Sequence, residues 1–152
     1  MIRRLAALAL LAAVLLSGCV VTGTPPDEAI PAALLDSDLE ILEATADTLT
    51  SGSSVSIVVT VVVERDELSS DDLRELIALT VENTHLTNPH ALRIYAESDE
   101  IDPESIIDSR VQIDVRAPAQ QLGLELTGGV TAGTDAIEAL WPDVLAMLDA
   151  TR

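Results

Sequence analysis

Apolar and polar positions alternate most clearly from Val55 to Glu64: Val55, Ile57, Val59, Val61 and Val63 fall on one side, and Ser56, Val58, Thr60, Val62 and Glu64 on the other. Successive strand side chains point to opposite faces, so this period of two predicts a central strand. Its apolar face packs on helices; its mixed face is half covered, open, or used by a partner. Just upstream, Leu35, Leu39, Leu42, Ala46 and Leu49 sit on a helical stripe, while Ile41, Glu43, Thr45 and Asp47 also read as one face of a strand. A strand is favoured because Ser51-Gly52-Ser53-Ser54 is a hairpin-like link into the valine-rich run. Before it, Asp27 to Leu35 predicts a short helix whose regularity Pro31 limits.

Downstream the period changes. Leu73, Leu76, Ile77 and Thr80/Val81 mark the buried stripe of a helix that ends near Thr84. Ser69 with Asp72 makes a capping-box variant, Leu68 with Leu73 a hydrophobic staple, and Asp71 and Asp72 suit the positive N-terminal dipole. Asn88-Pro89 is a turn, and Leu92, Ile94 and Ala96 alternate in another strand. Glu97 to Ser109 reads as an acidic connection, followed by a short strand through Val111, Ile113 and Val115. Pro118 to Leu122 predicts one helical turn ended by Gly123, and Leu122, Leu124 and Leu126 an edge strand before Gly128-Gly129. A last helix is expected from Thr134 or Asp135, carrying Ile137 and Leu140; Pro142 either kinks it or opens a second piece with Val144, Leu145 and Leu148. Together these elements predict an α+β fold, a two-layer sandwich with an antiparallel or mixed sheet and helices packed mainly on one face. No repeat of 20 to 50 residues is visible.

The N-terminus follows a different pattern. Arg3 and Arg4 precede an unbroken apolar run from Leu5 to Leu16, with small residues at Ser17 and Gly18. The run is shorter than the roughly 20 residues a spanning helix needs, so residues 1–18 read as a signal peptide and the domain as exported. Leu16-Ser17-Gly18-Cys19 resembles the lipobox of bacterial lipoproteins. That resemblance implies cleavage between Gly18 and Cys19 and a lipid on the Cys19 thiol. Residues 19–26 then form the lipidated end and a short tether, of which the seven residues from Val20 to Pro26 span at most roughly 25 Å. Residues 27–152 form one domain. The expected location is the extracytoplasmic side of a cell membrane, held by lipid, because two or more acyl chains make a lasting anchor where one does not.

Charge and cysteine usage sharpen this picture. The formal net charge is -18 over 152 residues, falling to -20 once Arg3 and Arg4 leave with the signal peptide, and every basic residue is arginine. Such an excess of carboxylates excludes nucleic acid as a partner class, since that binding rests on neutralising phosphates. It also holds the domain off an anionic bilayer. Cys19 is the sole cysteine, so no disulfide within the chain is possible and stability comes from the core.

Candidate chemistry is sparse. His85 and His90 are the only histidines, separated by a helix end and a turn, and a structural zinc site needs about four ligands. Glu97 to Glu104 is the densest acidic stretch, with Asp99, Asp102 and Glu104 as candidate calcium ligands, but it lacks the Asp-x-Asp-x-Asp-Gly order and distal Glu of an EF-hand loop. Gly128 to Thr134 spaces two glycines as a phosphate loop does, yet no Lys follows Gly133 and Asp135 sits where an anion would approach. There is no Gly-x-Ser-x-Gly elbow. Tyr95 and Trp141 are the only aromatics, so a stacking surface is poorly supplied, and Trp141 before Pro142 reads as a core plug.

The valine strand leading into Leu68-Ser69-Ser70-Asp71-Asp72-Leu73-Arg74, and Ile113-Asp114 before Gln121-Leu122-Gly123-Leu124, complete a resemblance to small actinobacterial lipoproteins of uncharacterised function. The resemblance implies location and fold and carries no activity. The leading expectation is a non-catalytic envelope lipoprotein, without cofactor, that binds another envelope protein or serves a structural role. The alternative is a small-ligand or divalent-cation-binding lipoprotein, and an envelope hydrolase comes third.

Overall fold

A computed structural model describes residues 25–101, 109–125 and 136–150. Helix α1 (Pro26–Leu35) begins with proline in its first turn, where a missing N–H costs nothing, and has Asp27 and Glu28 at its positive end. It buries Ile30 and Leu34, four residues apart and so on one face. Glu40, at a φ of 57°, redirects the chain into strand β1 (Ile41–Ser51).

The ambiguous stretch is thus a strand, paired antiparallel with β2 (Ser54–Val63) through a two-residue loop between Ser51 and Ser54. Gly52 has a φ of +60°, the first-position conformation that a type II′ hairpin turn reserves for glycine. The predicted apolar face of β2 is the core face, with Ile57, Val59, Val61 and Val63 fully buried.

Helix α2 (Ser70–Asn83) starts at the Ser69 cap, and both halves of the capping box form. The Asp72 N–H donates to Ser69 Oγ at 3.1 Å, and the Ser69 N–H donates to the Asp72 carboxylate at 2.9 Å. The helix buries Leu73, Leu76, Ile77 and Thr80 and ends at Thr84. Asn88, at a φ of 58°, makes the turn into β3 (Ala91–Ile101). Because the connection carries a whole helix, β3 returns parallel to β2, with Val59 beside Ile94. The sheet is therefore mixed.

At four places the structure departs from the pattern expected of the sequence. Glu97 to Ile101 is the second half of β3 and not a connection. Its backbone pairs with Val62 and Val63 on one side and with the short strand β4 (Arg110–Gln112) on the other, and that pairing outweighs the polar side chains. Ile113 and Val115 lie beyond β4 as buried anchors, since Asp114 accepts the Arg116 N–H at 2.9 Å and turns the chain into α3 (Arg116–Gln121). Leu122 and Leu124 form no strand: Gly123, at a φ of +73°, closes α3, and the Leu124 N–H returns to the Ala119 carbonyl at 3.1 Å. Leu126 lies outside the described residues. Ile137 and Leu140 belong to strand β5 (Ile137–Leu140), antiparallel to the first half of β3, and not to a helix. Of the two readings of Pro142, it is the opening one that holds, because α4 (Trp141–Asp149) carries it in its first turn.

The order across the sheet is β1-β2-β3-β4, with β5 beside β4 on the same flank of β3. All four described helices contribute to one apolar cluster on the Ile57/Val59/Val61/Val63 side, with Leu92, Ile94, Ile137 and Ala139 completing the sheet's share. This is the predicted α+β fold, a five-stranded mixed sheet with helices packed against it. Trp141, 5% exposed, closes that cluster as the core plug expected of it.

Candidate functional site

The face of the sheet opposite the helices carries an organised polar surface. Strand register builds it in rows. Asp47, Val58, Arg93 and Glu138 form one row across β1, β2, β3 and β5. Thr45, Thr60 and Tyr95 form the next, and Glu43, Val62, Glu97 and Gln112 the third. Val58, Thr60, Arg93, Tyr95 and Glu97 are partly exposed, so the mixed face foreseen for β2 is half covered by its own neighbours.

Three polar links fix these side chains. Arg93 pairs with Glu138, its Nε donating to the carboxylate at 2.9 Å. That hydrogen bond holds the Arg93 guanidinium above its ordinary pKa against the opposing effect of burial, and Tyr95 adds to the shift. Gln112 donates to Glu97 at 2.7 Å. Arg110 donates through both terminal nitrogens to Glu43, at 2.9 and 2.6 Å, although β2 and β3 lie between their strands. This two-pronged geometry adds directional specificity to the charge pairing. It holds the Glu43 carboxyl below the usual range and the Arg110 guanidinium above its own. Val62, beside Glu43 in the row, is 3% exposed.

At neutral pH Arg93, Arg110 and Glu43 are fixed charges, suited to recognition by shape and charge.

A second feature lies at the carboxyl ends of the parallel strands β2 and β3. A solvent-open groove of about 530 Å³ runs between the start of α2 and α3, lined by Asp66, Glu67, Ser69, Asp114 and Gln121 among others. Open sheets with parallel strands tend to bind ligands at this end. Here the helix N-terminus is occupied by its own cap. Burial raises the Asp72 pKa, but hydrogen bonds from Ser69 and the nearby Arg65 outweigh it and leave the carboxyl below its ordinary value. The Arg116 backbone N–H likewise lowers Asp114. The rim is acidic, which disfavours an anion.

The residues singled out from sequence are dispersed. His85 and His90 are both exposed; His90 contributes backbone bonds to Val55 and Trp141, and its side chain does not converge with that of His85 on one groove. Asp99 is exposed on β3, while Asp102 and Glu104 lie outside the described residues, as do Gly18, Cys19 and Gly128 to Thr134. Among the described residues no group of three or more His, Cys, Asp or Glu side chains converges, and no helix is long and apolar enough to cross a membrane. The alternation through Arg93 and Tyr95 was a usable signal for the open face; Glu138 was hidden by the helical reading of its segment. No protein-family model matches this chain, and neither a curated protein nor a solved structure matches it.

Proposed function

We propose that the protein is a lipid-anchored envelope protein, tethered through Cys19 outside the membrane, whose domain is a non-catalytic module for binding another protein. The observation that carries the binding role is the one-sided sheet, whose helix-free face presents Tyr95 between the Arg93–Glu138 pair and the Arg110–Glu43 bridge. Fixed charges around a rigid aromatic suit a recognition surface. The anchor rests on the residues around Cys19, and the acidic character of the domain supports a position held off the bilayer.

The experiment places a photo-crosslinking side chain at position 95, and separately at the exposed helix position 82, in the full-length protein within native membranes. A discrete crosslinked species from 95 and not from 82 is expected. Equal or no capture from both would reject the binding role. Cys19→Ala should release the protein from the membrane fraction; undiminished membrane association would reject the anchor.

The groove near Asp66 and Asp114 favours a second reading, a site for a small ligand or divalent cation. A rise in melting temperature with millimolar calcium at constant ionic strength would support it.

A further inference from the structure

The outer edge of β1 carries a chemistry that the open face alone does not reveal. β1 is the terminal strand of the sheet, eleven residues long, and no described strand pairs with its outer side. Edges of this length template the addition of another strand and are usually blunted by proline, lysine, bulges or a covering element. Here the register shifts once, between Ile41 and Glu43, and then runs without interruption from Glu43 to Ser51. Along that run antiparallel residues alternate between bonding to β2 and pointing away from it. With the loop closed by Ser51 and Ser54, the outward groups belong to Ala44, Ala46, Thr48 and Thr50.

β1 itself carries Glu43 and Asp47 and no basic side chain. Residues 25–64 contain eight acidic side chains and no Arg, Lys or His. Arg110 offsets Glu43 from across the sheet, whereas Asp47 has no ion pair among the described residues. A second copy of β1 added antiparallel about Thr45 would set Glu43 against Asp47, and like charges directly opposite are destabilising. The same charges attract a cationic strand.

We infer that the free edge of β1 is a strand-addition site for an extended, arginine- or lysine-rich segment of a partner protein, which pairs its backbone with Ala44, Ala46 and Thr48 while its basic side chains meet Asp47 and neighbouring acids. This rests on the binding role proposed above and names its partner class. Backbone pairing supplies affinity in such complexes, and alternate side chains supply specificity.

The test uses the full-length lipidated protein in detergent and a nine-residue peptide alternating valine and arginine. A matched peptide is N-methylated at every second residue, on the edge that would pair. The unmodified peptide should bind saturably and slow amide exchange at Ala44, Ala46 and Thr48. N-methylation should weaken binding about tenfold or more, because it removes the pairing N–H groups and leaves charge unchanged. Thr48→Pro removes an outward N–H at an exposed position and should weaken binding to a similar extent. If that variant fails to fold, the N-methylated peptide still decides. Equal binding of both peptides would show attraction by charge alone and overturn the assignment. So would no binding, or protection of the same amides by self-association without peptide. Capture through position 95 together with peptide failure would overturn the edge site and leave the binding role standing; peptide binding without that capture would uphold the edge site and reject the open face around Tyr95 as the binding surface.

Discussion

At the scale of single residues, the junction of β2 and α2 concentrates several interactions on one carboxylate. Asp72 accepts from the Ser69 N–H and hydroxyl and lies 3.3 Å from Arg65, which itself donates to the Leu39 carbonyl at 3.1 Å. The cap thereby ties the helix start to the entry of β1. Ser69→Ala should cost about 0.5–2 kcal/mol in chemical denaturation. Asp72 also sets a pH dependence. Its folded pKa lies below the 3.8 of the free side chain, so its stabilisation is complete above that value and is lost as pH falls through the folded pKa. Acid unfolding followed by circular dichroism should be less steep below about pH 4 in Asp72→Asn than in the parent. An unchanged acid limb would show that the carboxylate contributes no linkage.

At the scale of elements, β3 joins the sheet's two halves, flanked by β2 on one side and by β4 and β5 on the other. Ile94 is fully buried on β3, between Val59 of β2 and Ile137 of β5. Ile94→Ala should cost about 2–5 kcal/mol, measured as a lower denaturant midpoint with little change in slope. The hairpin makes a separate demand. Gly52 has open space around a would-be Cβ, but its φ of +60° strains any side chain. Gly52→Val should destabilise the protein through backbone strain alone, and Gly52→Asn, which tolerates the left-handed region better, should do so less. Equal losses would contradict a conformational origin.

Across the whole molecule, a formal charge of -18 works against compaction. Carboxylates repel one another through solvent over about 8–10 Å at moderate salt, and added salt shortens that range. The melting temperature should rise between low ionic strength and about 0.15 M sodium chloride. A fall would mean that the five ion pairs among the described residues outweigh the repulsion. The same field discourages self-association and draws cationic partners, consistent with the chemistry inferred for the β1 edge.

Short-range patterns were enough to read much of this from sequence. The period of two from Val55 to Val63 and the helical stripe from Leu73 to Thr80 survive in the fold because each buries a face whose spacing the backbone imposes. The Ser69–Asp72 cap and the Gly52 turn are decided within a few residues. Ile137 to Leu140 was not legible: its four residues satisfy either period, and only hydrogen bonds to β3, some forty residues earlier, select the strand. Glu97 to Ile101 likewise follows its neighbours β2 and β4 against its own composition. The open face belongs to the same class. Glu43 and Arg110 are 67 residues apart, and Arg93 and Glu138 are 45 apart. Local sequence determined which stretches had an apolar side to bury. Tertiary pairing decided which polar residues stand together on the side left over, because that depends on strand order and register, which no local spacing encodes.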